Sequence, residues 1–423
     1  MKVIVAIDSF KGCLSSAEAG AAAVAGIKER WPEAEVVCLP VSDGGEGWLE
    51  AWMAPLSSPE GETDVQTSNS KTFVAPSGAE GGAYITTTVH DPLLRPVQAR
   101  YLKADDLAVI EVAEACGLHL LKPEERNPLV ASSRGVGELI ADAMNRGCKR
   151  FIVGLGGSAV SDAGRGMIEG VKSEGMKSER VKNERVKSEK YKLPDYSVEP
   201  TTFDGNSYFS LFTLSLFTFL IATDVTNPLY GPYGAAAIFG PQKGATAEMV
   251  VELDRRAKAF ADENARVMGF DRSGEPGAGA AGGLGYAFMQ FFGAEQRSGA
   301  ELLMEAVHFD ELIRDADFII TGEGRADGQT LMGKLPSIVL RHARQAGIPC
   351  HLIAGCVDDE AALLAAGFAT VRSINPPGLP LSEAMKPEVA RRNIQINVKS
   401  LPFAWENGAV NCTIDKRSST TPS

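Results

Sequence analysis

The chain opens with an apolar run of strand length, Lys2–Ile7, that gives way at Asp8–Gly12 to a polar loop. Ser15 and Glu18, three residues apart, have the spacing of a capping box and start an alanine-rich helix expected to reach about Arg30. Val36–Leu39 is the next short strand, followed by the loop Ser42–Gly47 and a further helical stretch. Strand, glycine-bearing loop, helix, strand is the alternation of an open α/β sheet. It returns further along as strand Phe318–Thr321, loop Gly322–Gly333, helix Pro336–Ala346 and strand Cys350–Ala354. Leu107–Val112 and Phe151–Leu155 are apolar strands of the middle. The pattern predicts an α/β protein of two domains. Residues 1–60 and 295–400, from both ends of the chain, form the first; residues 61–294 form the second, inserted between them with a mixed sheet. Residues 401–423 read as an irregular tail.

Two stretches break the pattern. Ser57–Ala83 is rich in Ser, Thr, Gly, Glu and Pro and reads as a surface excursion. Val171–Lys192 repeats every five residues, as in Val-Lys-Ser-Glu-Gly and Val-Lys-Asn-Glu-Arg. A five-residue step turns a helix by about 140° net, so Val171, Met176, Val181 and Val186 make no apolar stripe. One coding of Val-Lys-Ser-Glu-Lys, read on the complementary DNA strand, gives Leu-Phe-Thr-Phe-His. Ser210–Phe219 carries the similar run Leu-Phe-Thr-Leu-Ser-Leu-Phe-Thr-Phe. Both stretches then read as arms of one inverted DNA repeat, which the nucleotide sequence would show. Residues 171–221 are accordingly expected to be atypical.

Composition narrows the function. At 423 residues with 44% hydrophobic and 23% charged side chains, the chain has the balance of a globular protein. A net charge of −12 argues against a nucleic-acid partner, which needs a broad basic face. Seven cysteines without a CxxC pair favour reduced thiols in the cytoplasm. Five isolated histidines argue against a histidine metal cluster or a hydrolase triad. Tyr208–Ala222, the longest apolar stretch, is shorter than the about 20 residues a membrane helix needs, so no membrane partner is expected.

Candidate chemistry lies where loops follow strands. Asp8-Ser9-Phe10-Lys11-Gly12 puts a carboxylate and an ammonium beyond a strand end, where open sheets bind ligands. Ser42-Asp43-Gly44-Gly45-Glu46-Gly47 sets a carboxylate beside backbone able to approach a ligand closely. Gly154-Leu155-Gly156-Gly157-Ser158, running on to Asp162, has amides that could form an anion nest. Asp224 could be a base or a magnesium partner, and Lys243 a phosphate contact. The densest loop, Thr321–Lys334, carries Glu323, Arg325, Asp327 and Lys334 among four glycines. It comes near GxxxxGK[ST], but Leu335 stands where the hydroxyl belongs and the strand ends too early for a P-loop.

In this order the motifs resemble the type 1 glycerate kinase family, bacterial glycerate 2-kinases among them. The resemblance rests on Asp8–Leu14, Asp43–Gly47, Glu124–Pro128, Gly154–Gly164, Thr223–Leu229, Phe239–Ala245, Pro276–Gly285 and Thr321–Lys334. It implies two α/β domains, one a flavodoxin-like open sheet, with ATP and D-glycerate meeting in the cleft between them. The γ-phosphoryl group would pass to a glycerate hydroxyl, giving 2-phosphoglycerate in preference to 3-phosphoglycerate. On that reading Asp43 or Asp224 orients the hydroxyl and takes its proton, with Lys11 and Arg325 completing the catalytic set. Ser9, Lys11, Arg325 and Thr330 hold glycerate. Gly156, Gly157, Ser158, Asp162, Lys243 and Lys334 hold the nucleotide. Asp224, Glu323 and Asp327 hold Mg2+. A homodimer is carried as an expectation.

The chain also departs from the family pattern. Where Ser-Ala-Thr-Asn-Asp-Gly-Gly is usual it reads Ser158-Ala159-Val160-Ser161-Asp162-Ala163-Gly164, and Gly355-Cys356 stands where Gly-Ser is usual. Gly170–Ile221 keeps the family's spacing without its expected packed sheet and helix, and the tail after about Asn393 looks unlike the family. The alternative is therefore a catalytically impaired relic that binds ligand without turnover. A dinucleotide oxidoreductase ranks low, because no GxGxxG follows the first strand.

Overall fold

The computed structural model describes residues 1–57, 82–174 and 217–402. Among them eleven strands form two sheets. In chain order β1 is Lys2–Ile7 and β2 is Glu35–Cys38. Then come β3 (Ala83–His90), β4 (Pro96–Ala104), β5 (Leu107–Glu111), β6 (Arg150–Gly154), β7 (Thr218–Ala222) and β8 (Glu295–Arg297). Last are β9 (Phe318–Ala326), β10 (Cys350–Val357) and β11 (Thr370–Ser373).

The first sheet runs β11-β10-β9-β1-β2 and is parallel throughout. Val3–Ile7 are buried, as an apolar run covered on both faces should be. The helix Ser16–Arg30 starts on the expected capping box, with Ser15 Oγ accepting from the Glu18 amide and Glu18 Oε2 from the Ser15 amide. It packs against the helix Pro387–Lys399 so closely that a Cβ on Gly26 would lie 2.5 Å from the Gln395 carbonyl oxygen. Ile394, Val398 and Leu401 are buried there, so the chain beyond Asn393 belongs to this core as far as Leu401.

The second sheet runs β3-β4-β5-β6-β7-β8, antiparallel through β5 and parallel after it. A shared core joins the sheets. Ile4 and Ile319 of the first belong to the same cluster as Leu102, Ile152 and Leu220 of the second, with Trp48 and Trp52 between. No described helix is long and apolar enough to cross a membrane.

Two expectations are corrected. Gly322–Ala326 is strand, with Glu323 registered on Ala354 and Arg325 on Cys356 of β10, so the loop begins only at Asp327. The segment 170–221 was expected to lack packed sheet and helix. In fact the helix Arg165–Glu174 covers its start, and β7, its end, pairs with β6 and β8. The rest of the five-residue repeat, and nearly all of Ser57–Ala83 and the tail, lie outside the described residues.

Candidate active site

In the first sheet the strand order reverses between β1 and β9, and a crevice opens beyond the carboxyl ends of strands at such a point. A cavity of about 340 Å³ lies there. Asp8, Ser9 and Lys11 enter from the loop after β1, Glu323 and Arg325 from the end of β9, and Lys334 from the following loop. Asp43 comes from the loop after β2.

The loop after β1 is locally determined. The Asp8 amide donates to the Gly322 carbonyl, and Phe10 and Leu14 exchange backbone bonds around Gly12, whose φ of 74° suits glycine. Asp8 Oδ1 accepts the Ser9 amide at 2.7 Å. Burial, then the neighbouring Asp43, push the Asp8 carboxyl up to about 7, against the pull of the Ser9 amide and Lys11.

Glycines also place Asp43. A Cβ on Gly44 would lie 2.7 Å from the Ala222 carbonyl oxygen at the end of β7, and one on Gly299 would lie 2.3 Å from that of Asp43. Asp43 thereby raises the pKa of carboxyls on both sides, Asp8 on one and Asp224 on the other.

Asp224 lines a second cavity, of about 680 Å³, at the ends of β7 and β8. Thr223, Thr226, Gln296, Arg297 and Ser298 share it, and Met332 reaches across from the loop after β9. Burial and Asp43 push Asp224 up to about 6.

The structure thus gathers Ser9, Lys11, Asp43, Glu323, Arg325 and Lys334 and sets Asp224 in the adjoining cavity. Several expected contacts are spent inside the protein. The Gly156 amide donates to the Gly44 carbonyl, which packs the two glycine loops together and takes that amide out of an anion nest, and the Gly157 carbonyl accepts from Leu118. Lys243 is 3% exposed, and its Nζ donates to Val160 O at 2.6 Å and Ser158 Oγ at 3.0 Å. Burial lowers its pKa to about 8. Asp162 accepts from the amides of Ser133, Gly164 and Gly166 and from the Ser133 hydroxyl, so it fastens the loop. Thr330 is fully buried and donates to Glu323 Oε1 at 2.6 Å, behind the cavity wall. Arg325 reaches the rim with its Nε on Asp358 at 2.6 Å.

The expected magnesium ligands are not assembled. Asp224 faces the other cavity, while Lys334 Nζ lies 3.6 Å from Glu323 and 4.0 Å from Asp327. Among the described residues no three His, Cys, Asp or Glu side chains form a group able to hold a metal ion.

Asp8 lies in a motif legible as a strand-end loop, yet the two further carboxylates that act on its charge, Asp43 and Glu323, come from residues far apart in the chain. Arg297 and Ser298, which line the second cavity beside Thr226, carried no spacing signal at all.

Comparison with known proteins agrees with this architecture. The model of the Glycerate kinase family matches residues 3–75 and 71–403. The glycerate kinase of Bacillus subtilis (strain 168) is 37% identical over 389 residues, covering 91% of this chain and 93% of that one. The glycerate 2-kinase of Escherichia coli (strain K12) is 37% identical over 362 residues, covering 85% and 86%. The crystal structure of a candidate glycerate kinase 2 from Salmonella typhimurium LT2 superposes with a TM-score of 0.67 at 34% identity, covering 94% of this chain and 96% of that one. With a family match along nearly its whole length, and relatives this similar over most of theirs, the chain belongs to the glycerate kinase family.

Proposed function

We propose that the protein transfers the γ-phosphoryl group of ATP to a hydroxyl of D-glycerate, with 2-phosphoglycerate as product. The observation that carries this reading is the placement of Asp43 at the seam between two cavities, with a second carboxyl, Asp224, across it. A phosphoryl donor and a small acceptor on either side of that seam would meet in line. Phosphoryl transfer asks chiefly for positioning and charge neutralisation. The phosphorus–oxygen bond to the glycerate hydroxyl forms as that to the nucleoside diphosphate breaks, and the hydroxyl proton passes to Asp224 or Asp43. A carboxyl with a pKa near 6 is ionised at neutral pH and still basic enough to accept it. Among the described residues no group of three metal-ligating side chains is assembled, so no step is assigned to magnesium. A cytoplasmic setting belongs to the same reading.

An impaired relic is the less favoured reading. β7 holds its place between β6 and β8 despite the unusual sequence leading into it, so the second sheet is whole. The test is a coupled assay of the purified protein with ATP and D-glycerate. Glycerate-dependent ADP release is expected, with 2-phosphoglycerate identified by phosphorus NMR. ADP release equal to that without glycerate would refute the proposal. Asp43→Asn should lower kcat by about 10²–10⁴-fold, the usual contribution of a positioned acid–base group.

A further inference from the structure

The cavity at the end of the first sheet is chemically two-sided. On one side stand the carboxylates and cations already described. The other side is apolar, built from Phe10, Ile374, Ala384 and Met385, with Leu381 at its edge. Leu381 is 76% exposed and Met385 38%, the first opening the short helix Leu381–Ala384 and the second following it. Such side chains stay uncovered at a cost unless something flat and apolar lies on them.

We infer that this cavity seats the nucleotide, with its base against the apolar wall of Phe10, Ile374, Leu381 and Met385 and its phosphates toward Lys11 and Lys334. The inference rests on the kinase reading and deepens it by dividing the two cavities between the two substrates. Glycerate carries oxygen on every carbon, so it gains nothing by desolvating an apolar wall, whereas a purine ring does. The cavity also lies at the strand-order reversal, where open α/β sheets take nucleotides. Its volume falls within the roughly 300–1,000 Å³ of small-molecule sites.

The cations fit a polyphosphate. Lys334 sits loosely between Glu323 and Asp327, at 3.6 and 4.0 Å, and Lys11 makes no hydrogen bond or ion pair among the described residues. Both are mobile point charges that an anion can recruit. The groups first expected to hold phosphate, Gly156, Ser158 and Lys243, are committed inside the second sheet. The second cavity suits the acceptor instead: Thr223, Thr226 and Ser298 offer hydroxyls to a small hydroxy acid, while Arg297 lines it with its guanidinium held in a two-pronged ion pair by Glu305. Lys11, long enough to reach the seam, then serves the donor side rather than the glycerate carboxylate.

The test uses the full-length protein and the double variant Leu381→Asp/Met385→Asp. Calorimetry with adenylyl imidodiphosphate reads the nucleotide, and steady-state kinetics read glycerate. Nucleotide affinity should fall by about tenfold or more, the loss expected when apolar contact on a base is replaced by like charge, while the KM for D-glycerate stays within about twofold. Thr226→Val should do the reverse. Unchanged nucleotide affinity in the double variant, or a rise confined to the glycerate KM, overturns the assignment. Should the double variant fail to fold, photolabelling of the wild type with 8-azido-ATP decides: label within residues 374–390 supports the seat, and label within residues 272–298 removes it. Nucleotide binding that follows these expectations without glycerate-dependent turnover would leave the seat standing and refute the glycerate reading alone.

Discussion

Ala163 holds a backbone conformation that the family pattern gives to glycine. Its φ is 55°, its amide donates to the Gly282 carbonyl at 3.0 Å, and its methyl is buried. The left-handed region costs an L-residue about 1–2 kcal/mol, and a β-branched side chain more. Ala163→Val should therefore lower stability by at least about 2 kcal/mol in urea denaturation, on the same steric ground. Ala163→Gly should stay within about 1 kcal/mol of wild type, because relief of strain offsets a lost buried methyl worth about 0.8. Lys243 shows what residue type conceals. A lysine in a glycine-flanked loop has the chemistry of a phosphate contact, yet folding turns its Nζ inward onto Val160 and Ser158. Lys243→Met should cost about 1–3 kcal/mol by orphaning two buried acceptors. A raised KM for ATP at unchanged stability would instead restore the phosphate role.

At the scale of elements, apolar runs were legible and glycine-rich ones were misleading. β9 continues through Gly322 and Gly324, which look like loop residues. A Cβ at Gly322 would lie 2.4 Å from the Ile353 carbonyl oxygen, so this glycine serves close strand packing. Two apart, Glu323 and Arg325 share a face of the strand, Glu323 buried within the sheet and Arg325 exposed where the strand nears its end. β7 teaches the converse. Its Phe-rich lead-in looks like repeated DNA, but five apolar or β-forming residues of the right length make a strand wherever a neighbour offers register. Phe219 stacks on Phe151 at 4.5 Å and meets Phe292 edge-on at 4.8 Å. Phe219→Ala should cost about 3–5 kcal/mol, read from the denaturation midpoint. A cost below about 1 kcal/mol would mean that β7 is not a core strand.

At the scale of the whole molecule, carboxyls from both sheets converge. Asp8 follows β1, Asp43 follows β2, Asp224 follows β7 and Glu323 lies in β9. Asp8 keeps its proton in the folded protein to about pH 7, against an ordinary value of 3.8. Between those values the folded state binds more protons than the unfolded one, so the Asp8 contribution to stability falls as pH rises from about 4 to about 7. Asp8→Asn should gain stability relative to wild type across that window, by an amount on the order of a few kcal/mol. Denaturation at both ends of the window checks it, and a flat difference would show that Asp8 ionises without penalty. By itself the sequence determined the alternation of strand and helix, the capped first helix and the family motifs, because these depend on short-range pattern. Only the tertiary structure decided which charged groups face a cavity and which are spent on the fold. Direction depends on partners supplied from elsewhere in the chain, as when Gly44 takes the Gly156 amide and Asp43 comes to stand between Asp8 and Asp224.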